Sequence, residues 1–338
     1  MKKIYFLFLF IYICNSNAQV SDFNHIDFSK ADKIASNYKN EELTNLPLLA
    51  HKLTSNLTTD VEKFRALYMW VCTNIKGDYS MFLKNKRKRG KYRNDSIKLS
   101  NWNKSIRKKM FKQLRRDKKT VCTGYAYLIK ELARLANIKC IIIDGFGRTS
   151  STDVERLSAP NHSWNAVLLN GKWYLCDATW ASGMNDLESN TFKFDFKKGY
   201  FLAEPKLFAK NHFPLERRWM LTNKNGLTFN AFLEGPVIYS EAFKYISSPN
   251  YPKKMLNTVY KKEKATFKYK LLSPIDPSKI SLLISNGITD KIVKPTVIIQ
   301  QGNSLAFEYQ FPKRGFYDVH VIAYNDVLMT YTFDVKNK

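Results

Sequence analysis

The dipeptide Asn170-Gly171, which lies between two apolar segments, is the feature that most constrains the fold of this chain. Asn-Gly favours a two-residue hairpin turn because both central residues must adopt positive φ angles. Such a turn also fixes which residues of the two strands face each other. The expected pairs are Leu169 with Lys172, Leu168 with Trp173, Trp164 with Asp177, and His162 with Thr179.

This register puts His162 and Asp177 on one face of the sheet as diagonal neighbours, because side chains alternate between the faces of a strand. Diagonal Cβ atoms lie roughly 7–8 Å apart, which a His and an Asp can bridge with one hydrogen bond. An imidazole oriented by a carboxylate is the base of a nucleophilic triad. The hairpin therefore predicts two of the three residues of such a site.

A candidate nucleophile, Cys122, lies upstream at the start of a predicted helix. The apolar residues that recur there at helical spacing are Val121, Tyr125, Leu128, Leu132 and Leu135. Thr120 is the expected N-cap and Asn137 the expected C-terminal stop. Cys122 then lies in the first turn, where free backbone N–H groups and the helix dipole favour a thiolate. A cysteine here is by itself more often a small buried hydrophobe, so the hypothesis depends on all three residues together.

These motifs together resemble the transglutaminase-like superfamily, and more narrowly its kyphoscoliosis-peptidase-like branch. The segments that carry the resemblance are 63–75, 121–126, 161–165, 173–177, 199–205, 212–214 and Trp219. It covers about residues 45–222. It implies a papain-like α+β core, in which the helix that carries the cysteine packs on an antiparallel sheet. By the same resemblance Cys122 is the nucleophile, His162 the base and Asp177 the residue that orients it.

The chain departs from the family pattern in residues 77–80 and in a basic insertion at 84–119. The insertion holds 17 Lys or Arg residues against two acids, Asp95 and Asp117. One interpretation is a surface that binds an anionic envelope polymer. The other is a solvated insertion that is partly helical around residues 105–114. Nucleic acid is not expected as a partner, because the N-terminal sequence predicts export.

The N-terminal residues 1–18 have the pattern of a secretory signal peptide. A positive start is followed by the apolar segment 4–13 and by Ser16 and Ala18 at the −3 and −1 positions, which predicts cleavage after Ala18. The mature chain would then be secreted or periplasmic. A lipoprotein with its lipid on Cys14 is the alternative. No other long apolar run occurs, so no transmembrane helix is expected in the mature chain.

A change of pattern at about residue 223 divides the mature chain into a core domain, 19–222, and a second domain, 223–338. Short segments rich in aromatic and β-branched residues follow the boundary, separated by turn residues. They are 266–272, 279–285, 296–300, 304–311, 315–324 and 328–335. Regularly spaced short strands predict an immunoglobulin-like β-sandwich.

The remaining cysteines and histidines are given structural roles. Cys72, Cys140 and Cys176 lack zinc-finger spacing, and both free buried thiols and a bridge between Cys140 and Cys176 stay open. The histidines for which the sequence names no partner are His25, His51, His212 and His320. No phosphate-binding loop or zinc motif is found, so neither a cofactor nor a metal is predicted.

The predicted reaction is acyl transfer on a protein or peptide substrate. The Cys122 thiolate would attack the carbonyl of a peptide bond or of a glutamine side chain. Water as the acceptor gives a protease or deamidase, and an amine gives a transglutaminase. The triad serves both, and abundant water outside the cell favours hydrolysis. The alternative is a non-catalytic module that binds an envelope component or polymer on the same scaffold.

Overall fold

The computed structural model describes residues 19–155, 157, 159–186, 189, 191–222 and 226–337. The predicted signal peptide, with its cleavage after Ala18 and the alternative lipid site at Cys14, lies outside these residues. Within the described part of the chain, no helix combines the length and apolar character needed to cross a membrane.

The described helices occur mainly in the first two thirds of the chain. They are α1 (Ser29–Asn37), α2 (Leu46–Thr54), α3 (Asp60–Asn74), α4 (Tyr79–Lys91), α5 (Ser96–Asp117), α6 (Cys122–Leu135), α7 (Ala178–Ser182), α8 (Pro205–Phe208) and α9 (Phe229–Glu234). Short 3-10 helices lie at Val20–Phe23, Lys198–Tyr200, Arg217–Met220, Ser240–Lys244 and Pro277–Lys279.

The described strands fall into an N-terminal and a C-terminal group. The first group is β1 (Lys76–Gly77), β2 (Lys119–Thr120), β3 (Cys140–Gly147), β4 (His162–Leu169), β5 (Lys172–Cys176), β6 (Gly183–Asp186), β7 (Thr191–Phe194) and β8 (His212–Pro214). The second is β9 (Val237–Ile238), β10 (Ile246–Tyr251), β11 (Leu256–Tyr260), β12 (Lys264–Leu271), β13 (Ile280–Ser285), β14 (Asp290–Val293), β15 (Val297–Gln301), β16 (Ser304–Gln310), β17 (Gly315–Ala323) and β18 (Asp326–Lys336).

Helix α3 is the central helix of the first domain and is buried along most of its length. A capping box starts it: Thr59 Oγ1 accepts from the Glu62 N–H at 3.3 Å, and the Glu62 carboxylate accepts from the Thr59 N–H at 3.0 Å. The N-cap is thus Thr59, which forms this capping box with Glu62. Its buried apolar side chains are Val61, Phe64, Ala66, Leu67, Tyr68, Trp70, Val71 and Cys72.

The core sheet has the strand order β5–β4–β3–β8, and all of its neighbouring strands are antiparallel. Helix α6 packs on this sheet. Asn165 in β4 fixes the contact, because its side-chain amide donates to the carbonyls of Ala126 in α6 at 2.9 Å and Ile141 in β3 at 3.0 Å. The predicted α+β core, with the helix that carries Cys122 packed on an antiparallel sheet, is confirmed.

The basic insertion forms two helices, α4 and α5, so it is helical well beyond the residues 105–114 that were expected to be helical. Trp102 Nε1 of α5 donates to Asn85 Oδ1 of α4 at 2.9 Å, which joins the two helices. Met110 and Leu114 of α5 are buried against the core domain. The insertion is therefore a helical hairpin with one packed side.

The C-terminal strands form a sandwich of two sheets. One sheet has the order β10–β12–β16–β15, and the other has the order β11–β18–β17–β13–β14, with β9 paired to β18. The predicted all-β domain is confirmed, and its six predicted strands appear as β12, β13 and β15 to β18, with ends shifted by up to two residues. The sequence missed β9, which has two residues, β10, which contains 247–250 (Ser-Ser-Pro-Asn), and the short strands β11 and β14.

The two domains contact each other through a joint formed by Arg148, Asn211 and residues 233–238. Arg148 is 2% exposed, and its guanidinium donates to the carbonyls of residues 233, 235 and 236 at 2.8, 2.5 and 3.1 Å. The Asn211 side chain bonds both the N–H and the carbonyl of Ile238. The predicted domain boundary after residue 222 stays a prediction.

Candidate active site

His162 begins β4, and the neighbouring strand β3 leaves space for its ring. In β3, a Cβ added to Gly147 would lie 2.8 Å from the His162 Cβ, so only glycine fits there without a shift. The Asn161 side chain pairs with the Gly147 backbone, accepting from its N–H at 2.7 Å and donating to its carbonyl at 2.9 Å. Trp180 stacks on the imidazole with ring centroids 4.8 Å apart. The ring therefore packs closely against Gly147 and stacks on Trp180.

The Asn170-Gly171 turn sets the predicted register for residues 165–169 and 172–176. Both turn residues have positive φ, 48° and 77°. The pairs expected beyond this point, Trp164 with Asp177 and His162 with Thr179, are wrong. Strand β5 ends at Cys176 because Asp177 caps α7, its Oδ1 accepting from the N–H groups of residues 179 and 180 at 2.8 and 3.3 Å.

The predicted hydrogen bond between His162 and Asp177 is confirmed, because His162 Nε2 lies 2.7 Å from Asp177 Oδ2. Both side chains are buried. The capping bonds on Oδ1 keep the carboxylate oriented so that Oδ2 faces the imidazole. Since Nε2 is bound to Asp177, Nδ1 is the ring nitrogen left to interact with the thiol.

His212, to which the sequence assigned no partner, lies on the same carboxylate. Its Nε2 is 3.0 Å from Asp177 Oδ2, so one oxygen contacts two imidazoles. His212 is 1% exposed and stacks on Phe208 with ring centroids 3.8 Å apart. Strand β8 brings it there by pairing with β3, with Gly147 opposite His212. The only signal in the sequence was that the resemblance extended through residues 212–214.

Cys122 is the first residue of α6 and is partly exposed. The chain enters this helix from β2, which pairs in parallel with β1, Gly77 opposite Thr120. Thr120 is therefore a strand residue and not the expected N-cap, which is Val121 without a side-chain cap. Gly124 is needed because a Cβ there would overlap the Thr120 hydroxyl. The expected C-terminal stop is confirmed, since Asn137 follows the helix with φ of 60°.

The electrostatic environment favours the thiolate form of Cys122 and the imidazolium form of His162. Burial raises the pKa of the Cys122 thiol, but its hydrogen bond to His162, the charge of His162 and the N–H of Ser163 outweigh this, and the pKa is lowered overall. Burial likewise lowers the pKa of His162, but the charge and hydrogen bond of Asp177, then Cys122, raise it to about 10. Each charged form, thiolate and imidazolium, would therefore stabilise the other.

Asp177 and His212 have pKa shifts of the same direction but different cause. Burial raises the pKa of Asp177, but the charge of His162 and the hydrogen bonds of both histidines outweigh it, and the carboxyl pKa stays well below its usual range. Burial is the main cause at His212 and lowers its pKa to about 4, against the effect of Asp177. At neutral pH His212 is thus a neutral donor to a charged carboxylate.

The other described cysteines differ from Cys122 in this respect. Cys72, Cys140 and Cys176 are buried free thiols, so no bridge links Cys140 to Cys176. Burial raises the pKa of all three. Cys122 is the thiol among these four whose pKa is lowered.

Among the residues that the structure describes, the group that could hold a metal consists of residues that already form this network. Ligand atoms of His162, Asp177 and His212 lie within 4.8 Å of one another. Both Nε2 atoms are placed as hydrogen-bond donors to Asp177 Oδ2, so a metal there would have to displace both protons. The hydrogen bonds account for the grouping, and the absence of a cofactor stays a prediction.

Comparison with known proteins shows what the first domain is similar to. Residues 47–178 match the model of the transglutaminase-like superfamily. Human kyphoscoliosis peptidase is 32% identical over 196 residues, covering 57% of this chain and 26% of the relative. Hillarin from Drosophila melanogaster is 24% identical over 237 residues, covering 65% and 26%. The chain thus spans about a quarter of the length of these relatives, at 26% of each.

Among solved structures, the crystal structure of the Lin-41 filamin domain matches with a TM-score of 0.20 and 13% identity, over 24% of this chain and 84% of that chain. That match is too weak to bear on the fold.

The chain therefore contains a transglutaminase-like domain, which is the helical and antiparallel core described above. Over 57% and 59% of its length, the chain is similar to the human and mouse kyphoscoliosis peptidases, with 32% and 30% identity.

Proposed function

We propose that this protein is a cysteine-nucleophile enzyme that transfers or hydrolyses acyl groups of protein or peptide substrates. Cys122 is the nucleophile, His162 the base and Asp177 the residue that orients the imidazole. The observation that supports this most directly is the hydrogen bond of 2.7 Å between His162 Nε2 and Asp177 Oδ2, beside a thiol whose pKa is lowered by His162.

In the acylation step, the Cys122 thiolate attacks the carbonyl carbon of a peptide bond or of a glutamine side chain, and a C–S bond forms. The negative charge moves to the carbonyl oxygen, where the backbone N–H of Cys122 at the start of α6 is the natural donor. When the tetrahedral intermediate collapses, the C–N bond breaks. His162 Nδ1 gives its proton to the leaving amine.

In the second step, His162 takes a proton from the acceptor, which then attacks the acyl carbon. The C–S bond breaks and the thiolate is restored. Water as acceptor makes the enzyme a protease or deamidase, and an amine makes it a transglutaminase. Because the protein is proposed to act after export, where water greatly exceeds free amines, we favour hydrolysis.

The test is covalent capture by an acyl-electrophile probe, followed by mass spectrometry of the labelled peptide. The wild type should label on Cys122, and Cys122→Ala should lose labelling and turnover while its melting temperature stays nearly unchanged. Cys140→Ala is the matched control, because it also removes a thiol but from a buried site in β3. Full turnover of Cys122→Ala would mean that the nucleophile lies elsewhere.

The reactivity of the thiol separates an enzyme from a non-catalytic scaffold. A thiolate paired with His162 should react with iodoacetamide at a rate that is already constant well below pH 8.5, the ordinary pKa of a free thiol. A rate that rises only near about pH 8.5 would favour the binding module instead.

A further inference from the structure

Helix α5 carries one continuous stripe of exposed residues that the proposed catalysis does not use. The stripe begins at Ile97, and Lys104, Lys108 and Arg115 follow it by 7, 11 and 18 residues. Because these spacings are close to whole numbers of helical turns, the four residues share one side of the helix, and Lys112 lies beside them. All five are exposed. At 1.5 Å per residue, this α5 stripe is roughly 27 Å long.

The opposite side of α5 faces the protein. Ile106, Met110 and Leu114 recur at four-residue spacing, and the last two are 3% and 5% exposed. Phe111 packs on Tyr127 of α6 with ring centroids 4.6 Å apart. The helix therefore has a fixed orientation, and the α5 stripe points to solvent.

The charges of the α5 stripe have no acid to neutralise them within the described chain. The hairpin's own ion pairs use other cations: Lys98 with Asp95, Arg116 with Asp117, and Lys119 with Asp78. Helix α4 adds further exposed cations at residues 84, 86, 87 and 91. The surface thus carries a dense positive charge that attracts anions over about a Debye length, roughly 8 Å at physiological salt.

Apolar side chains are exposed among these charges. Ile97 is 75% exposed at the start of the α5 stripe, and Phe82 and Leu83 of α4 are 40% and 44% exposed. A soluble polyanion gains nothing from such groups. A bilayer does, because apolar side chains enter the boundary of the acyl chains while Lys and Arg reach the headgroups.

We propose that the α5 stripe docks this protein on an anionic lipid surface. Lys104, Lys108, Lys112 and Arg115 would contact the phosphate headgroups, and Ile97 would enter the interface. The inference does not depend on the proposed catalysis, since none of these residues belongs to the candidate active site.

The test is co-sedimentation of the full chain with vesicles of phosphatidylcholine alone, and of phosphatidylcholine with about one third phosphatidylglycerol. The apolar segment 4–13 can bind either kind of vesicle, so the difference between the two is the measured quantity. Wild type should prefer anionic vesicles at about 0.1 M salt and lose that preference at about 1 M salt, where the Debye length is roughly 3 Å.

Two variants separate the contribution of the positive charges to vesicle binding from that of the apolar side chain of Ile97. The triple change Lys104→Gln, Lys108→Gln and Lys112→Gln should weaken anionic-vesicle binding by about a hundredfold, roughly fivefold for each residue. A matched control removes the same charge from exposed residues of the sandwich, Lys261, Lys291 and Lys313, and should bind like wild type.

Ile97→Ser should weaken vesicle binding several-fold but leave retention on a dextran sulfate column unchanged. Equal binding to both kinds of vesicle, or a stripe variant that binds like wild type, would overturn the proposal. So would an Ile97→Ser variant with wild-type vesicle binding, which would assign the surface to a soluble polyanion.

A second inference concerns His212 and deepens the proposed function. Asp177 receives four N–H groups: two backbone groups on Oδ1, at 2.8 and 3.3 Å, and the two imidazoles on Oδ2. His212 also touches Phe208 O through Nδ1 at 3.3 Å, but the shorter contact to Asp177 places its proton on Nε2. We infer that His212 is a positioning residue that holds the Asp177 carboxylate against His162.

His212→Phe and His212→Gln test this, because glutamine can donate from the position of Nε2 and phenylalanine cannot. The measurement is the rate of Cys122 alkylation against pH, which needs no substrate and so does not depend on the proposed reaction. His212→Phe should move the onset of the alkylation plateau to higher pH, since a loosely held Asp177 stabilises the imidazolium less. His212→Gln should restore most of the wild-type profile.

Thermal melting checks that the variants fold, and His320→Phe controls for the loss of a histidine in the sandwich. If His212→Phe and His212→Gln both keep the wild-type pH profile, His212 only fills space. A shift of the plateau to lower pH in His212→Phe would show that His212 competes with His162 for the carboxylate.

Discussion

At the scale of single residues, Asp177 is the centre of the candidate site. It caps α7, it orients His162 and it accepts from His212, all from full burial. The first two roles depend on different oxygens of one carboxylate, so the strand end and the imidazole are positioned together. This makes the residue hard to replace by any group without two acceptor oxygens.

Asp177→Asn should lower the single-turnover acylation rate by about ten- to a thousandfold while Cys122 stays alkylatable. An amide can turn its NH₂ towards His162 and stabilise the tautomer whose proton lies on the wrong nitrogen. Asp144→Asn, a change in the neighbouring strand β3, is the matched control. Equal rates for Asp177→Asn and wild type would reduce the site to a Cys–His pair.

His212 should make the fold sensitive to mild acid. Its pKa is about 4 when folded against 6.5 ordinarily, so the unfolded chain takes up a proton first as pH falls. Stability is therefore lost between pH 6.5 and 4, at about 1.4 kcal/mol per pH unit. From pH 6.5 to 5, urea unfolding should show wild type losing about 2 kcal/mol more than His212→Gln. Parallel losses would mean that His212 titrates normally.

At the scale of elements, the sequence predicted the parts that depend on local pattern. The Asn170-Gly171 turn gave the hairpin and its register up to Cys176, and apolar spacing gave α6. The register failed where a side chain, Asp177, ended the strand by capping a helix. Periodicity reports which face is buried, but not where a competing hydrogen bond stops an element.

His212 could not be predicted in the same way. Strand β8 has three residues, too few to show alternation, and its partner Asp177 is 35 residues away in sequence. Only the pairing of β8 with β3 brings the two together. Only part of the helical hairpin α4–α5 was predicted, for a different reason. Its many charged residues leave few apolar positions, so the helical spacing of the residues that pack is hard to recognise.

The close packing of β3 on β4 predicts an effect for Gly147→Ala. The new methyl would lie 2.8 Å from the His162 Cβ, so the imidazole must move. A misplaced base should lower acylation about tenfold or more with only a modest fall in melting temperature. Gly90→Ala is the control, since its Cβ meets nothing within 4 Å. An unchanged acylation rate would mean that strand β3 shifts to make room for the methyl group and that His162 keeps its position.

At the scale of the whole molecule, the core and the sandwich share a buried joint instead of a free linker. Arg148 donates to three carbonyls while its own charge is buried, and burial lowers its pKa to about 10. The hydrogen bonds to these carbonyls offset the free-energy cost of removing the guanidinium charge from water. The two domains are therefore expected to unfold together.

Arg148→Met should lower the free energy of unfolding by roughly 3 kcal/mol or more, because it leaves buried carbonyls without donors. Arg217→Met is the matched control. Arg217 also donates to two carbonyls, at 3.4 and 3.1 Å, but it is exposed. Its removal should cost less than about 0.5 kcal/mol. Similar losses in the two variants, measured by urea unfolding, would show that the joint contributes little.

The proposed export of the chain has its own test. If residues 1–18 are removed as a signal peptide, N-terminal sequencing of the mature protein should begin at Gln19. A lipid-modified Cys14 as the first residue would make the protein membrane-anchored instead.

Gly147 and His212, which are paired between β3 and β8, lie directly beside the joint of Arg148, Asn211 and residues 233–238. Gly147 packs against His162 and precedes Arg148, while His212 contacts Asp177 and follows Asn211. The residues that hold the imidazole and carboxylate of the candidate site are thus one peptide bond from those that contact residues 233–238. A chain truncated after residue 222 would lose the partners of Arg148 and Asn211, and the disturbance would reach both histidines at once. The sandwich therefore supports the candidate active site structurally, and the reactivity of Cys122 should fall when the sandwich is removed.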